Sequence, residues 1–531
     1  MKLSFSLNKG LPYVLLLILA LNSCGFQNYE EDSKLRFREQ HRPQFHFSPE
    51  TMWMNDPNGM VYYDGEYHLF YQHYPEDMVW GPMHWGHAIS TDMIHWEHMP
   101  IALYPDSLGY IFSGSAVIDW ENTSQLQTGE HPPMIAIFTY HDMEGERAGS
   151  NTYQTQGIAY SNDRGRTWTK YNGNPVLDNP GIRDFRDPKV IWYETDQKWI
   201  MALAVQDHVS FYSSPNLIDW TFESDFGKNT GAHGGVWECP DLFPMEINGQ
   251  EKWVLLVSIN PGGPNGGSGT QYFVGEFNGS LFTNGNPGTD PLWVDYGKDN
   301  YAGVTWSDIP KSDGRRVFLG WMSNWQYANE VPTYPWRSAM TIPRSLMLSD
   351  HNGFLQLRSK PVKELKRLRT GDPLELEPQV ISGDIKIPAI ETFEDSMYEI
   401  ELTIKMTNGS QFGLSSDFGF KLENDSSQYI IFGYDVSGKF AYIDRTHSGK
   451  TEFSENFPGI HKAPLDLSLN EEIHVHAFID KASIEVFIND GERVITEIYF
   501  PDKDFSMVSL FAENGSVLLR SGEIYELKSI W

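Results

Sequence analysis

An all-β fold in two parts, a five-bladed β-propeller followed by a β-sandwich, is predicted by three observations. A local pattern recurs five times, its head positions near 56, 113, 187, 238 and 303, at the roughly 50 to 75 residue spacing of propeller blades with variable loops. Helix signals are scarce throughout. The last third of the chain is instead rich in alternating apolar and polar runs, which read as half-buried strands.

The N-terminus reads as an address. Lys2 and Lys9 precede the apolar run Leu11 to Leu21, which is too short to span a membrane and has the length of a signal core. It ends in Leu21-Asn22-Ser23-Cys24, so residues 1–23 are expected to be a cleaved leader and Cys24 the acylated first residue of a lipoprotein. The following stretch, 24–43, is polar and aperiodic and is expected to be a flexible tether. With Cys24 acylated, Cys239 is the one remaining cysteine and no intramolecular disulfide is possible.

The propeller is assigned to 44–345. Its repeat places an acid or serine ahead of two aromatic-rich apolar runs split by a polar turn: Asp56 in WMNDPNG, Ser113 in FSGSAV, Asp187 in FRDPKV and Glu238 in WECPDLF, with GVTWSDIP beginning a fifth copy. A second recurring element, ending at Trp96, Trp168 and Trp220, reads as an outer strand and polar turn closed by an anchoring tryptophan. A linker is assigned to 346–369, with VKELKRLR (362–369) as a short helical connector. The sandwich is assigned to 370–531, from runs such as YEIELTIKM, EIHVHAFID and SIEVFIND and the turn at Asn489-Asp490-Gly491.

The chain of 531 residues carries 71 acidic side chains against 40 Lys plus Arg, a formal charge of −31. Such a field repels nucleic acid and anionic lipid, so a neutral or cationic partner is favoured and membrane contact is left to the lipid anchor. Removing the leader takes away two lysines and no acid, which leaves the remainder more acidic still. Seventeen Trp and 26 Tyr supply flat apolar faces with polar edges, which suit sugar rings as well as β-sheet cores. No particular oligomeric state is signalled.

Three acids leading three copies of one repeat suggest chemistry. Glycosidic cleavage needs a proton donor at the leaving oxygen and a carboxylate facing the cationic anomeric carbon. Asp56 lies between Asn55 and Asn58, whose amides are expected to keep it ionised as a nucleophile. Glu238, beside Trp237 and Cys239, is expected to occupy an apolar setting that raises its pKa, as an acid/base requires. Asp187 adjoins Arg186 and is expected to stay ionised and bind sugar hydroxyls.

WMNDPNG, FSGSAV, FRDPKV and WECPDLF, in this order, resemble glycoside hydrolase family 32, the fructan hydrolases and invertases. WGPMHWGHAIS from Trp80 and GWMSNWQYANEVPTYPWRSAMTIPR are similar to bacterial levanases and exo-inulinases in particular. The resemblance implies a propeller plus sandwich and retaining hydrolysis of terminal β-fructofuranosides, without metal or organic cofactor. It also implies Asp56 as nucleophile, Glu238 as acid/base and Asp187 as transition-state stabiliser, and puts Asn55, Gln72, Trp80, Phe112, Ser113, Arg186 and Trp321 around the fructose. The implied partner is a fructan polysaccharide or oligosaccharide, levan (β-2,6) or inulin (β-2,1), with sucrose as a further substrate. Endo-action, fructosyl transfer and a binding protein without turnover remain open alternatives.

Three other features read as structural. His84, His87, His95 and His98 do not converge as metal ligands must. Cys239 lacks a histidine partner and reads as a small buried group shaping Glu238. PGGPNGGSG (261–269) lacks the lysine and helix of a phosphate loop and is expected to be a mobile rim loop.

Overall fold

The computed structural model describes residues 37–531 apart from 287, 289, 388, 389, 391, 392, 394, 395 and 407–412. The expected leader and lipidated Cys24 lie outside the described residues. Five sheets, antiparallel except where Met52 and Trp53 pair in parallel with Trp336 and Arg337, are arranged radially as blades. Their innermost strands are Met52–Tyr63, Tyr110–Ile118, Phe185–Tyr193, Val236–Ile247 and Tyr301–Thr305, each containing one repeat head from the sequence.

The second strand of each blade is a continuous apolar run rather than an alternating one, because neighbouring blades cover both of its faces. Met134–His141 is buried at every position, and Lys198–Val205 at all but its first. The core accordingly falls between blades: Phe70 and Trp85 of blade I meet Ile111 and Met134 of blade II, and the same holds around the ring. Trp96, Trp168 and Trp220 close the turns before the fourth strands, and Trp168 and Trp220 both donate their indole N–H to the carbonyl three residues back, at 3.1 Å. The ring closes where Met52 N–H meets the Pro335 carbonyl at 2.8 Å and Ser307 bonds Met60 and Tyr62 through its main chain at 2.9 Å each.

Blade V extends further than the sequence suggested. Its third and fourth strands, Arg344–His351 and Phe354–Pro361, form a hairpin turned by Asn352 and Gly353, both at positive φ (57° and 88°). The assigned linker 346–369 therefore shrinks to a 3₁₀ turn, Lys363–Leu368, which buries Leu365 and Leu368. The assigned tether also shortens from its C-terminal end. Phe37 stacks on Trp531 with centroids 4.0 Å apart, and the buried Arg42 guanidinium lies 3.9 Å over the Trp336 ring and donates to the Pro49 carbonyl at 2.7 Å. Aromatic and guanidinium anchors thus tie 37–43 to the body, where sequence polarity alone suggested a free segment.

The C-terminal domain is a sandwich whose two layers share one 20-residue strand, Met507–Glu526. Its first part pairs with Asp417–Glu423 and its last part with Tyr398–Lys405, and the chain turns between them at Asn514, φ 53°. The sandwich docks on blades IV, V and I through buried charge. Arg344 pairs with Asp295 (2.8 Å) and Glu485, while His46 is held between Asp480 (2.7 Å) and Glu485 (2.9 Å). These two acids raise the His46 pKa to about 9 against the opposing effect of burial. Among the described residues no helix is long and apolar enough to cross a membrane.

Candidate active site

Every innermost strand breaks register at its head. The ladder slips between Met54 and Pro57, between Ile111 and Gly114, opposite Arg186 to Lys189, between Glu238 and Asp241, and between Tyr301 and Val304. Prolines 57, 188 and 240 supply one cause, since they cannot donate to a ladder. Asp187 (φ 63°) and Cys239 (φ 46°) add backbone turns into the left-handed region. Such bulges re-aim side chains. Here they turn the heads of several blades toward one another at one end of the axis. Gly59, the last residue of NDPNG, is at φ 51°, and a Cβ there would lie 2.7 Å from Phe70 and 2.8 Å from Trp85, so the bulge demands glycine.

Counting from the prolines shows that the three acids are not equivalent. Asp56 and Asp187 precede proline directly, whereas in blade IV that position is Cys239 and Glu238 stands one residue earlier, level with Asn55 and Arg186. Side chains alternate along a strand, and the contacts divide accordingly. Cys239 Sγ lies 3.6 Å from Asp56 Oδ2 and 3.7 Å from Asp187 Oδ2, and its main-chain N–H donates to Asp187 Oδ2 at 3.0 Å. Glu238 instead faces Arg186, whose Nη2 is 3.0 Å and Nε 3.2 Å from Oε1, and its Oε2 accepts the Tyr301 hydroxyl.

The expected apolar setting of Glu238 is therefore not what the fold builds. Trp237 points to the opposite face, into the core between blades III and IV, and a guanidinium and a phenol surround the carboxyl. Arg186 likewise reaches away from its sequence neighbour Asp187, toward Asp184 (2.6 Å) and Glu238.

Asp56 is braced on both oxygens. Ser113 donates to Oδ2 at 2.6 Å and the Asn55 amide to Oδ1 at 3.0 Å, with Asn55 itself oriented by the Trp53 indole N–H at 2.7 Å. Asn58 does not join in; its Oδ1 accepts from the Gly114 main chain at 3.3 Å. Burial nevertheless raises the Asp56 pKa, with Glu238 adding to the rise and Ser113 and Asn55 opposing it. Burial pushes Asp187 up to about 7, against the pull of Arg186 and with help from Glu238 and Asp56. The expectation that Asp187 is held ionised by Arg186 thus yields to desolvation. Burial and three nearby carboxylates raise the Cys239 thiol well above its ordinary value, so it stays protonated and is no nucleophile.

The predicted sugar-contacting residues surround these acids. Gln72 faces the bulged Asn55-Asp56 pair from the adjacent strand, and its Nε2, like Trp321 Nε1, is a buried donor without a protein partner. Phe112 stacks on His141 at 4.1 Å and meets Trp80 edge to face at 6.0 Å, forming one aromatic wall. Trp53, Trp321 and Trp325 form another, with 4.9 Å between the last two. Tyr301, Trp325 and Asp184 escaped sequence reasoning. Tyr301 was legible in principle, two residues before the fifth repeat head. Below the acids the axis is plugged: the buried Lys189 ammonium bonds the Thr305 carbonyl at 2.8 Å and Asp241 at 3.2 Å.

The glycine-rich 261–269 loop is tied down at its centre. Asn265 exchanges hydrogen bonds with the Lys462 main chain of the sandwich, 3.0 Å each, and donates to the Tyr296 carbonyl at 2.6 Å. Sequence composition does not register such side-chain anchors, hence the expectation of mobility.

Two aspartates, a glutamate paired with arginine, and aromatic walls at one end of a five-bladed propeller define a glycoside hydrolase. Residues 46–361 match the glycosyl hydrolases family 32 N-terminal domain and 364–526 the family's C-terminal domain, so the chain belongs to glycoside hydrolase family 32. It is 49% identical to a levanase of Bacillus subtilis over 99% of this chain and 76% of that one. The fold superposes on an exo-inulinase of Aspergillus awamori with a TM-score of 0.84, at 35% identity over 93% of this chain and all of the other. A β-fructofuranosidase of Schwanniomyces occidentalis complexed with fructosyl-erythritol gives a TM-score of 0.83, at 33% identity, over 93% of this chain and 99% of its own.

Proposed function

We propose that the chain is a retaining exo-β-fructosidase that removes terminal fructofuranosyl units from fructans, levan foremost, by double displacement. The observation that carries the mechanism is the convergence of the acids: Cys239 Sγ is within 3.7 Å of both aspartates, and Glu238 is the next residue along. Glu238 is also near enough to raise the Asp56 pKa, and a retaining enzyme holds such a pair roughly 5–5.5 Å apart, an inverting one roughly 6.5–9.5 Å. Asp56, fixed by Ser113 and Asn55, attacks the anomeric carbon while Glu238 protonates the departing oxygen. Glu238 then takes a proton from water, which attacks the fructosyl-enzyme ester and releases Asp56. Asp187 hydrogen-bonds ring hydroxyls as charge develops, and Gln72 and Trp321 offer donors to the same sugar.

The match to an exo-inulinase supports exo-action. The names of the relatives support fructans, and the levanase match favours β-2,6 linkages. A time course of the purified protein on levan, inulin and sucrose tests this reading. Fructose alone from the first time point, fastest on levan, is expected; early oligosaccharides overturn exo-action, and fructo-oligosaccharide as the main product at high sucrose overturns hydrolysis in favour of transfer.

The leader and Cys24 support export followed by lipid anchoring to a bacterial membrane. Incorporation of labelled palmitate by the wild type and its loss in Cys24→Ala is the expected result; equal labelling overturns the anchor.

A further inference from the structure

The far end of the propeller axis, beyond the Lys189 plug, opens into a groove of about 580 Å³, within the size range of ligand sites. It is separate from the site above. Trp192 on its wall lies five residues along the strand from Asp187, on the order of 15 Å away. Two tryptophans give it its character. Trp120 is 55% exposed, an unusual state for the largest apolar side chain, yet it is fixed: its N–H donates to Asp308 at 2.9 Å and its ring meets Tyr63 edge to face at 5.7 Å. Trp192 is half-buried, packed on Trp199 at 4.9 Å, and donates its N–H to Glu194 at 2.8 Å. Both indoles are thus anchored by their polar edges.

The groove also carries a buried polar group without a partner. Ser307 lines the groove and is 8% exposed, and its Oγ, itself buried, meets no protein donor or acceptor. Around the rim, Glu121, Glu194 and Lys311 are exposed. Fixed indole faces with acceptors and a donor at their edges suit a ligand that is apolar on its ring faces and hydroxylated at its edges, which describes a sugar. The charge of −31 weighs against polyanions, and a neutral polysaccharide meets no such penalty.

We infer that this groove is a second, non-catalytic carbohydrate site that holds a β-fructan chain while the catalytic pocket works on chain ends. The inference rests on the fructan reading above and adds a place for the polymer. Two ends of one polymer, or two branches, then engage one molecule, and the gain comes from raised effective concentration, not faster chemistry.

The test is affinity electrophoresis of the full chain in gels containing levan, with dextran gels as reference and Asp56→Asn as background so that no polymer is consumed. Asp56→Asn is expected to be retarded by levan and not by dextran, and the added pair Trp120→Ala and Trp192→Ala to cut that retardation at least threefold. In the active background the same pair is expected to leave kcat/KM on sucrose within twofold while lowering the rate on dilute levan several-fold. Equal retardation of the two proteins, or retardation of neither, overturns the site; failure of the active enzyme on levan, inulin and sucrose alike overturns the fructan reading instead. Trp120→Ala alone, which removes an exposed ring and spares the half-buried one, serves if the pair lowers the melting temperature, and unchanged retardation of that single variant also counts against the site.

Discussion

In the proposed mechanism Asp56 is the side chain on which the chemistry turns. Asp56→Ala is expected to lower kcat at least about 10³-fold while leaving the melting temperature equal or higher, since a buried charge braced for reaction costs stability; hydrolysis at the wild-type rate would rule out its role. Asp187 offers a test of sign. Its pKa is raised to about 7 by folding, above that of an unfolded aspartate. A carboxyl shifted in this direction contributes stability at pH below its unfolded value, and the contribution is lost as pH climbs to about 7. Asp187→Asn carries no such charge. Relative to wild type it is therefore expected to gain up to roughly 2–4 kcal/mol between pH 4 and pH 8, measured by urea unfolding at each pH. A gain that shrinks as pH rises contradicts the desolvated setting of this acid.

Blades were more legible than their edges. The repeat heads located all five innermost strands, because the pattern recurs at blade spacing and, in three of the five, a carboxylate and a proline interrupt the apolar run where the ladder must break. The partition of the acids was not legible. The contrast between Cys239, which joins the two aspartates, and Glu238, which faces Arg186 and Tyr301, depends on bulge geometry and on side chains from other blades. Likewise the hairpin Arg344–Pro361 hid behind a polar turn, and the anchoring of 261–269 came from Asn265 reaching a strand about 200 residues away. That anchor makes the loop a rigid part of the rim. Asn265→Ala removes three hydrogen bonds, a cost of about 1–3 kcal/mol locally. It is expected to open 261–269 to limited proteolysis and to raise KM for fructans several-fold; unchanged cleavage would mean the loop needs no anchor.

At the scale of the whole molecule, propeller and sandwich are joined by charges removed from water. Arg344 bridges Asp295 of the propeller and Glu485 of the sandwich, all buried. Arg344→Leu strands two carboxylates and is expected to cost about 3–5 kcal/mol in urea unfolding. A loss below 1 kcal/mol would show that the Arg344 ion pairs contribute nothing to the joint. The net charge acts differently, since a neutral fructan feels no long-range field. KM for levan is expected to change less than twofold between low and high salt, whereas a charged substrate would show a steep dependence. The central claim is that Asp56 attacks one face of the sugar while Glu238 serves the leaving oxygen and then the water on the other, and it is tested most directly by methanolysis. Levan is hydrolysed in aqueous methanol, and the methyl fructofuranoside formed first is identified by NMR. Double displacement predicts the β-anomer, with the configuration of the substrate retained; the α-anomer would mean a single direct displacement and contradict the assignment of Asp56 as nucleophile.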